Sequence, residues 1–180
     1  MVTGWREIDG SLYWFASSGA METGWVKVNG TWYWMNSAGK MVTGWQRIAG
    51  KTYWMDSSGA MATGWRRISG SWYYFASSGA MVAGWVKSGG SWYWMSTSNG
   101  KMATGWVKVG GATYWMKSSG AMATGWQQVS GTWYYFDSSG AMARNKWVGN
   151  YYLKEDGSMA VNEWIGKYHV NGSGKWDQTK

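Results

Sequence analysis

Gly24-Trp25-Val26-Lys27-Val28-Asn29-Gly30-Thr31-Trp32-Tyr33-Trp34-Met35 decides the fold. Two short runs rich in aromatic and β-branched residues flank the pair Asn29-Gly30. Asn-Gly favours a two-residue primed turn, because both of its residues accept a positive φ. The stretch therefore reads as a β-hairpin. A two-residue turn sets Trp25 across from Trp34 and puts Trp32 on the same face. Tyr33 and Met35 then point the other way.

The same stretch returns along the chain. Gly-Trp recurs at Trp5, Trp25, Trp45, Trp65, Trp85, Trp106 and Trp126, at a spacing of twenty residues with one slip to twenty-one. Turn pairs recur with it, from Asp9-Gly10 through Ala49-Gly50, Ser69-Gly70, Gly89-Gly90 and Gly110-Gly111 to Ser130-Gly131. Segments such as Ser17-Ser18-Gly19 read as loops to the next hairpin, with glycine supplying positive φ. A strict period near twenty marks a repeat architecture. A single hairpin is marginal in water, so neighbours must stack to bury their rings. The fold class is all-β, a solenoid of about seven full hairpin repeats over 1–142. Two shortened, capping repeats and a polar, partly disordered tail occupy 143–180.

Composition supports burial by rings. The chain has 19 Trp, 12 Tyr and 13 Met among 180 residues, with no Pro and no Cys. Leucine occurs only at Leu12 and Leu153, so an aliphatic core is unavailable. Aromatic and thioether side chains must supply the buried area. Met35, Met55, Met95 and Met116, alternating with Phe15, Phe75 and Phe136, are expected in the core. Without cysteine there is no disulfide framework and no thiolate metal site.

No apolar run approaches membrane-spanning length. The chain opens inside a repeat, at Met1-Val2-Thr3-Gly4-Trp5, which reads as a fragment of a longer protein. The formal charge of +8 favours an anionic partner. Arg6, Lys27, Arg47, Arg66-Arg67, Lys87 and Lys108 decorate one strand regularly, which equally suits a solvated edge that resists aggregation.

At Gly24 to Trp34, followed by Ser37-Ala38-Gly39-Lys40-Met41-Val42-Thr43-Gly44-Trp45, the chain resembles the choline-binding, or cell-wall-binding, repeat of Gram-positive surface proteins and cell-wall hydrolases. The resemblance covers essentially the whole chain and is weaker after Met142. It implies a left-handed superhelix of hairpins that binds the choline or phosphocholine groups of teichoic and lipoteichoic acids. It implies secretion to the bacterial cell surface. It also implies aromatic boxes made of two tryptophans from one hairpin, a tyrosine from the next and a connecting methionine.

Carried over, the boxes are Trp25, Trp32, Met41 and Tyr53; Trp65, Trp72, Met81 and Tyr93; Trp85, Trp92, Met102 and Tyr114; and Trp126, Trp133 and Met142, closed by Tyr151 or Tyr152. Leu12, Thr52 and Thr113 stand where a second tryptophan belongs, so the boxes led by Trp5, Trp45 and Trp106 are weaker. The alternative for the tyrosines Tyr13 to Tyr134 is core packing alone.

The chemistry suits the residue types. A trimethylammonium group has no N–H to donate, so ring quadrupoles and methyl–ring contact must hold it. The expected partner set is choline on an anionic polymer, with no cofactor, no nucleic acid and no transmembrane segment. The chain is expected to be a monomer or a weak homodimer joined at the hairpin 164–170. Alternatives are a glucan-binding repeat and a structural repeat without ligand. Catalysis is not expected. Nine acidic residues are scattered, no carboxylate pair recurs at a fixed position, and His169 is the only histidine.

Overall fold

The computed structural model describes residues 1–180 and contains nineteen strands and no helix. The strands form nine antiparallel hairpins in chain order. The first seven are β1 (Gly4–Ile8) with β2 (Ser11–Phe15), β3 (Gly24–Val28) with β4 (Thr31–Met35), β5 (Gly44–Ile48) with β6 (Lys51–Met55), and β7 (Gly64–Ile68) with β8 (Ser71–Phe75). They continue as β9 (Gly84–Ser88) with β10 (Ser91–Met95), β11 (Gly105–Val109) with β12 (Ala112–Met116), and β13 (Gly125–Val129) with β14 (Thr132–Phe136). Two shorter hairpins follow, β15 (Lys146–Val148) with β16 (Tyr151–Leu153), and β17 (Glu163–Ile165) with β18 (Tyr168–Val170). The chain forms two compact units, Met1–Gly84 with Met95–Met102, and Trp85–Trp94 with Ala103–Lys180.

Turn chemistry sets the register. At Asn29-Gly30 both residues have positive φ, +49° and +85°, as a type I′ turn requires. That turn pairs Trp25 with Trp34, Val26 with Tyr33 and Lys27 with Trp32. Ala49 and Ser69 hold the same left-handed conformation at +48° and +47°, although neither side chain favours it. In the eighth hairpin only Gly149, at +59°, is left-handed while Asn150 is not, so the turn changes to the type II′ pattern.

From the second hairpin on, the most deeply buried large side chains stand one per hairpin at the end of the second strand. Met35, Met55, Met95, Met116 and Phe136 are 0% exposed and Phe75 is 1% exposed, whereas Phe15 is only half-buried. Leu153 and Val170 occupy this position in the two short hairpins and are also fully buried. In the first unit, Phe75 packs with Ala62, Ile68 and Tyr73, against Trp54 and Met81.

Connections are held by their own polar groups. The Asp137 carboxylate accepts hydrogen bonds from the amide and hydroxyl of Ser139 and from the amide of Ala141. Asp56 and Asn171 act in the same way in their loops. Gly59 has φ +82°, and the Met41 thioether lies against the space its Cβ would take. Glycine is needed there for both conformation and room.

One segment departs from the expected tail. β19 (Trp176–Thr179) adds to β18, pairing Tyr168 with Thr179 and His169 with Gln178. Hairpin 164–170, where a weak homodimer was expected to join, thus carries a third strand from within the chain. The polar composition concealed this strand because its stabilising contacts are tertiary. No helix is long and apolar enough to cross a membrane.

Candidate binding site

The hairpin register brings two tryptophans of one hairpin to a tyrosine of the next. Trp25 meets Trp32 at 6.2 Å and 85°, Trp34 at 5.1 Å and 66°, and Tyr53 at 4.9 Å and 65°. These are edge-to-face contacts, the favoured geometry for aromatic pairs. They leave a cavity of about 320 Å³ lined by Trp25, Trp32, Tyr53, Met61 and Ser78.

The second unit repeats the arrangement twice. Trp85, Trp92, Tyr114, Met122 and Ser139 line a cavity of about 310 Å³. Trp126, Trp133, Tyr151, Met159 and Ser173 line one of about 410 Å³. Trp85 lies 6.4 Å from Trp92 and 4.9 Å from Tyr114. Trp126 lies 6.5 Å from Trp133 and 5.2 Å from Tyr151. Tyr152 faces Trp147 at 5.3 Å, so Tyr151 is the ring at this cavity.

The methionines differ from expectation. Met41, Met81, Met102 and Met142 do not join the tryptophans to which the sequence reading attached them. Their amides donate to the carbonyls of Leu12, Thr52, Trp72 and Thr113. The carbonyls of Trp32, Trp92 and Trp133 accept instead from Met61, Met122 and Met159, at 2.8, 2.7 and 2.8 Å. The cause is topological. A connection bridges back to its own hairpin, as Met35 does with Met41, while its amide reaches the second strand of the hairpin before that. The methionine at each cavity therefore comes from the connection after the next hairpin. Ser78, Ser139 and Ser173 were also not foreseen. They arrive from one connection further on, and a common Ser-Ser-Gly loop carries no mark of that return.

The remaining candidates are placed as follows. Trp65 meets Trp72 at 6.3 Å and Tyr74 at 5.1 Å, with Met102 bonded to the Trp72 carbonyl in the same unit. Tyr93 belongs to the second unit and is half-buried. Trp5, Trp45 and Trp106 each find a tyrosine of the next hairpin at 4.9 Å, namely Tyr33, Tyr73 and Tyr134. Opposite them Leu12, Thr52 and Thr113 supply no second ring. Trp14, Trp54 and Trp115 do not take that place, since they pair directly across the strand with Trp5, Trp45 and Trp106.

The outer walls stay in water. Trp32, Trp92 and Trp133 are 38%, 41% and 40% exposed. A tryptophan kept at the surface by each of these repeats is not serving burial alone. No formal charge lines the three cavities, so attraction for a cation there comes from ring faces. Basic groups lie beyond the wall: Lys27 Nζ is 5.5 Å from the Trp32 ring centre and Lys87 Nζ is 5.7 Å from that of Trp92. His169 lies outside these cavities, its Nδ1 2.7 Å from the Asp177 carboxylate and its ring against Trp164.

Stacked hairpins with three-ring cages between them define a repeat of the aromatic-cage binding class. The chain belongs to the choline-binding repeat family. Choline-binding repeat models match residues 2–42, 62–105, 103–147 and 141–176, and a putative cell wall binding repeat model matches residues 43–61. CbpJ from Streptococcus pneumoniae TIGR4 is 35% identical, with a TM-score of 0.91 over 98% of this chain and 71% of its own. The choline-binding domain of CbpL from Streptococcus pneumoniae is 33% identical, with a TM-score of 0.79 over 100% of both chains. Choline binding protein F from Streptococcus pneumoniae is 39% identical, with a TM-score of 0.82 over 88% of this chain and 57% of its own. No curated protein matches by sequence.

Proposed function

We propose that this chain is a choline-binding module that anchors its parent protein to the teichoic and lipoteichoic acids of a bacterial cell wall. The observation that carries the reading is the repeated uncharged cage, seen at Trp25-Trp32-Tyr53, Trp85-Trp92-Tyr114 and Trp126-Trp133-Tyr151. Rings at these separations suit a methylated ammonium, which needs polarisable faces and offers no hydrogen to an acceptor. Met61, Met122 and Met159 add a soft thioether that conforms to methyl groups.

Each ring contributes about 0.5–2 kcal/mol, so one cage gives roughly millimolar affinity for free choline. Several cages on one chain, facing a polymer that repeats its choline groups, multiply that affinity by orders of magnitude. The net charge of +8 favours the phosphate-rich polymer to which the ammonium groups are attached. The module takes part in no catalytic step, and its localisation is extracellular, at the cell surface.

Choline titration followed by tryptophan fluorescence and thermal unfolding tests the reading. Saturating choline raises the midpoint, because each occupied cage stabilises the folded chain by mass action. A midpoint that moves with dextran and not with choline would overturn the assignment in favour of a glucan-binding repeat.

A further inference from the structure

The three cages share their rings and differ at their mouths. In each, the exposed members of the lining are the second tryptophan and the serine: Trp32 and Ser78, Trp92 and Ser139, Trp133 and Ser173. On the reading that these cages bind choline, we propose that their mouths sort them by the phosphate the choline carries. The Trp25 cage prefers the phosphate ester, through Lys27 and Ser78, and the Trp126 cage is indifferent to it.

A phosphate does not follow the ammonium into an uncharged, ring-walled space, because its lost hydration would go uncompensated. It stays at the mouth, where the exposed groups meet it. Strand register sets the first of these. Lys27 pairs with Trp32 across the hairpin, and its Nζ lies 5.5 Å from that ring's centre. Lys87 stands at 5.7 Å from the Trp92 ring. Both lysines are exposed, and the chain's two salt bridges, Lys154 with Glu163 and His169 with Asp177, involve neither. At the third cage Gln128 pairs with Trp133, and its side-chain amide donates to the Gly131 carbonyl at 3.2 Å.

The serine loops differ in the residue that opens them. The amides of Gly79, Gly140 and Gly174 donate to the carbonyls of Ala76, Asp137 and Asn171, so these three positions correspond. The Ser139 hydroxyl donates to the Asp137 carboxylate at 2.5 Å, and the Ser173 hydroxyl donates to the Asn171 amide oxygen at 2.7 Å. Both hydroxyls are left with lone pairs, which a phosphate oxygen avoids. Ala76 offers no such acceptor, so the Ser78 hydroxyl keeps its proton for the ligand. The Trp25 cage therefore carries an ammonium and a free hydroxyl donor. At the Trp85 cage Lys87 is set against the Asp137 carboxylate, and the corresponding positions of the Trp126 cage carry neither charge nor free donor. Lys27 also acts as a like charge on the bare ammonium. The preference thus appears in the ratio of the two ligands' affinities.

Met61, Met122 and Met159 each line a different cage, so each reports on its own. NMR titration of the full chain with labelled methionine methyls gives every cage its dissociation constants for choline and for phosphocholine. At low salt the preference for phosphocholine is expected to be several-fold greater at Met61 than at Met159, with Met122 between them. High salt should level the three. Lys27→Gln and Ser78→Ala change exposed side chains, and each should lower the preference at Met61 alone. Asp137→Asn keeps the acceptor for Ser139 but removes the charge, and should raise the preference at Met122. Equal preferences at the three methyls at low salt overturn the inference alone, as does a Met61 preference that survives the combined Lys27→Gln and Ser78→Ala substitution. Failure of choline to shift any of the three methyls overturns it together with the functional reading.

Discussion

The Met61 amide donates to the Trp32 carbonyl at 2.8 Å, across an intervening hairpin. This bond seats a thioether in a cage whose rings come from β3, β4 and β6. It separates two methionines of equal sequence rank. Met61→Ala is expected to weaken choline at the Trp25 cage about two- to tenfold, from a lost contact of ~0.5–1.4 kcal/mol. Met41→Ala should leave that cage intact. Calorimetric titration of the two variants checks this, and equal effects would contradict it.

Cage walls can be removed or added. Trp92→Ala exposes one side of the Trp85 cage and is expected to weaken it roughly two- to thirtyfold, from ~0.5–2 kcal/mol. Thr113→Trp does the reverse. Trp106 already faces Tyr134 at 4.9 Å, and Met142 is already bonded to the Thr113 carbonyl. One further ring should raise the number of cholines bound by one in equilibrium dialysis.

Two glycines with the same conformation should differ in cost. Gly30 has φ +85° with nothing near its missing Cβ, while Gly59 has φ +82° with the Met41 thioether against it. Gly30→Ala is expected to cost about 1–2 kcal/mol from the left-handed backbone alone. Gly59→Ala adds a steric clash and should unfold at lower denaturant. Equal midpoints for the two variants would show that the methionine gives way without cost.

Acid should loosen the loops in a defined direction. The Ser139 hydroxyl, with its amide and that of Ala141, holds the Asp137 carboxyl below its ordinary value near 3.8, and together they outweigh the opposing effect of burial. A carboxylate lowered on folding stabilises fully above its unfolded pKa and loses that stabilisation as pH falls through the folded one. Asp137→Asn retains an acceptor oxygen, as Asn171 shows in its own loop. Unfolding midpoints of the two proteins should therefore converge as pH drops below 4, the natural chain losing more.

The hairpins were legible because a two-residue turn leaves one register. Reading Asn29-Gly30 as that turn was enough to pair Trp25 with Trp34. Core positions were legible for a similar reason, since strand alternation sends Met35 and Met55 away from the tryptophan face. The long-range returns were not. Nothing near Met61 announces that its amide will meet Trp32, whereas the family resemblance implies the connecting Met41. β19 was hidden in the same way. Trp176 lies among polar residues, and only the free edge of β18 makes a strand of them. Ala49 and Ser69 in left-handed turns show the converse, with the fold imposing a conformation that the residue itself disfavours.

Each cage draws its rings from two hairpins and its remaining lining from the two connections after them, ending for the Trp25 cage at Ser78. A receptor that lengthens by copying a twenty-residue unit therefore gains its capacity late. The newest unit becomes a working site only when its successors arrive, and excising one unit from the middle rewrites the sites before it. Inheritance in such a lineage acts on overlapping neighbourhoods rather than on single repeats. That overlap is a physical reason for units whose own rings are incomplete, such as the one with Thr52, to persist as donors to the cage before them: Tyr53 and Met61 both come from that unit.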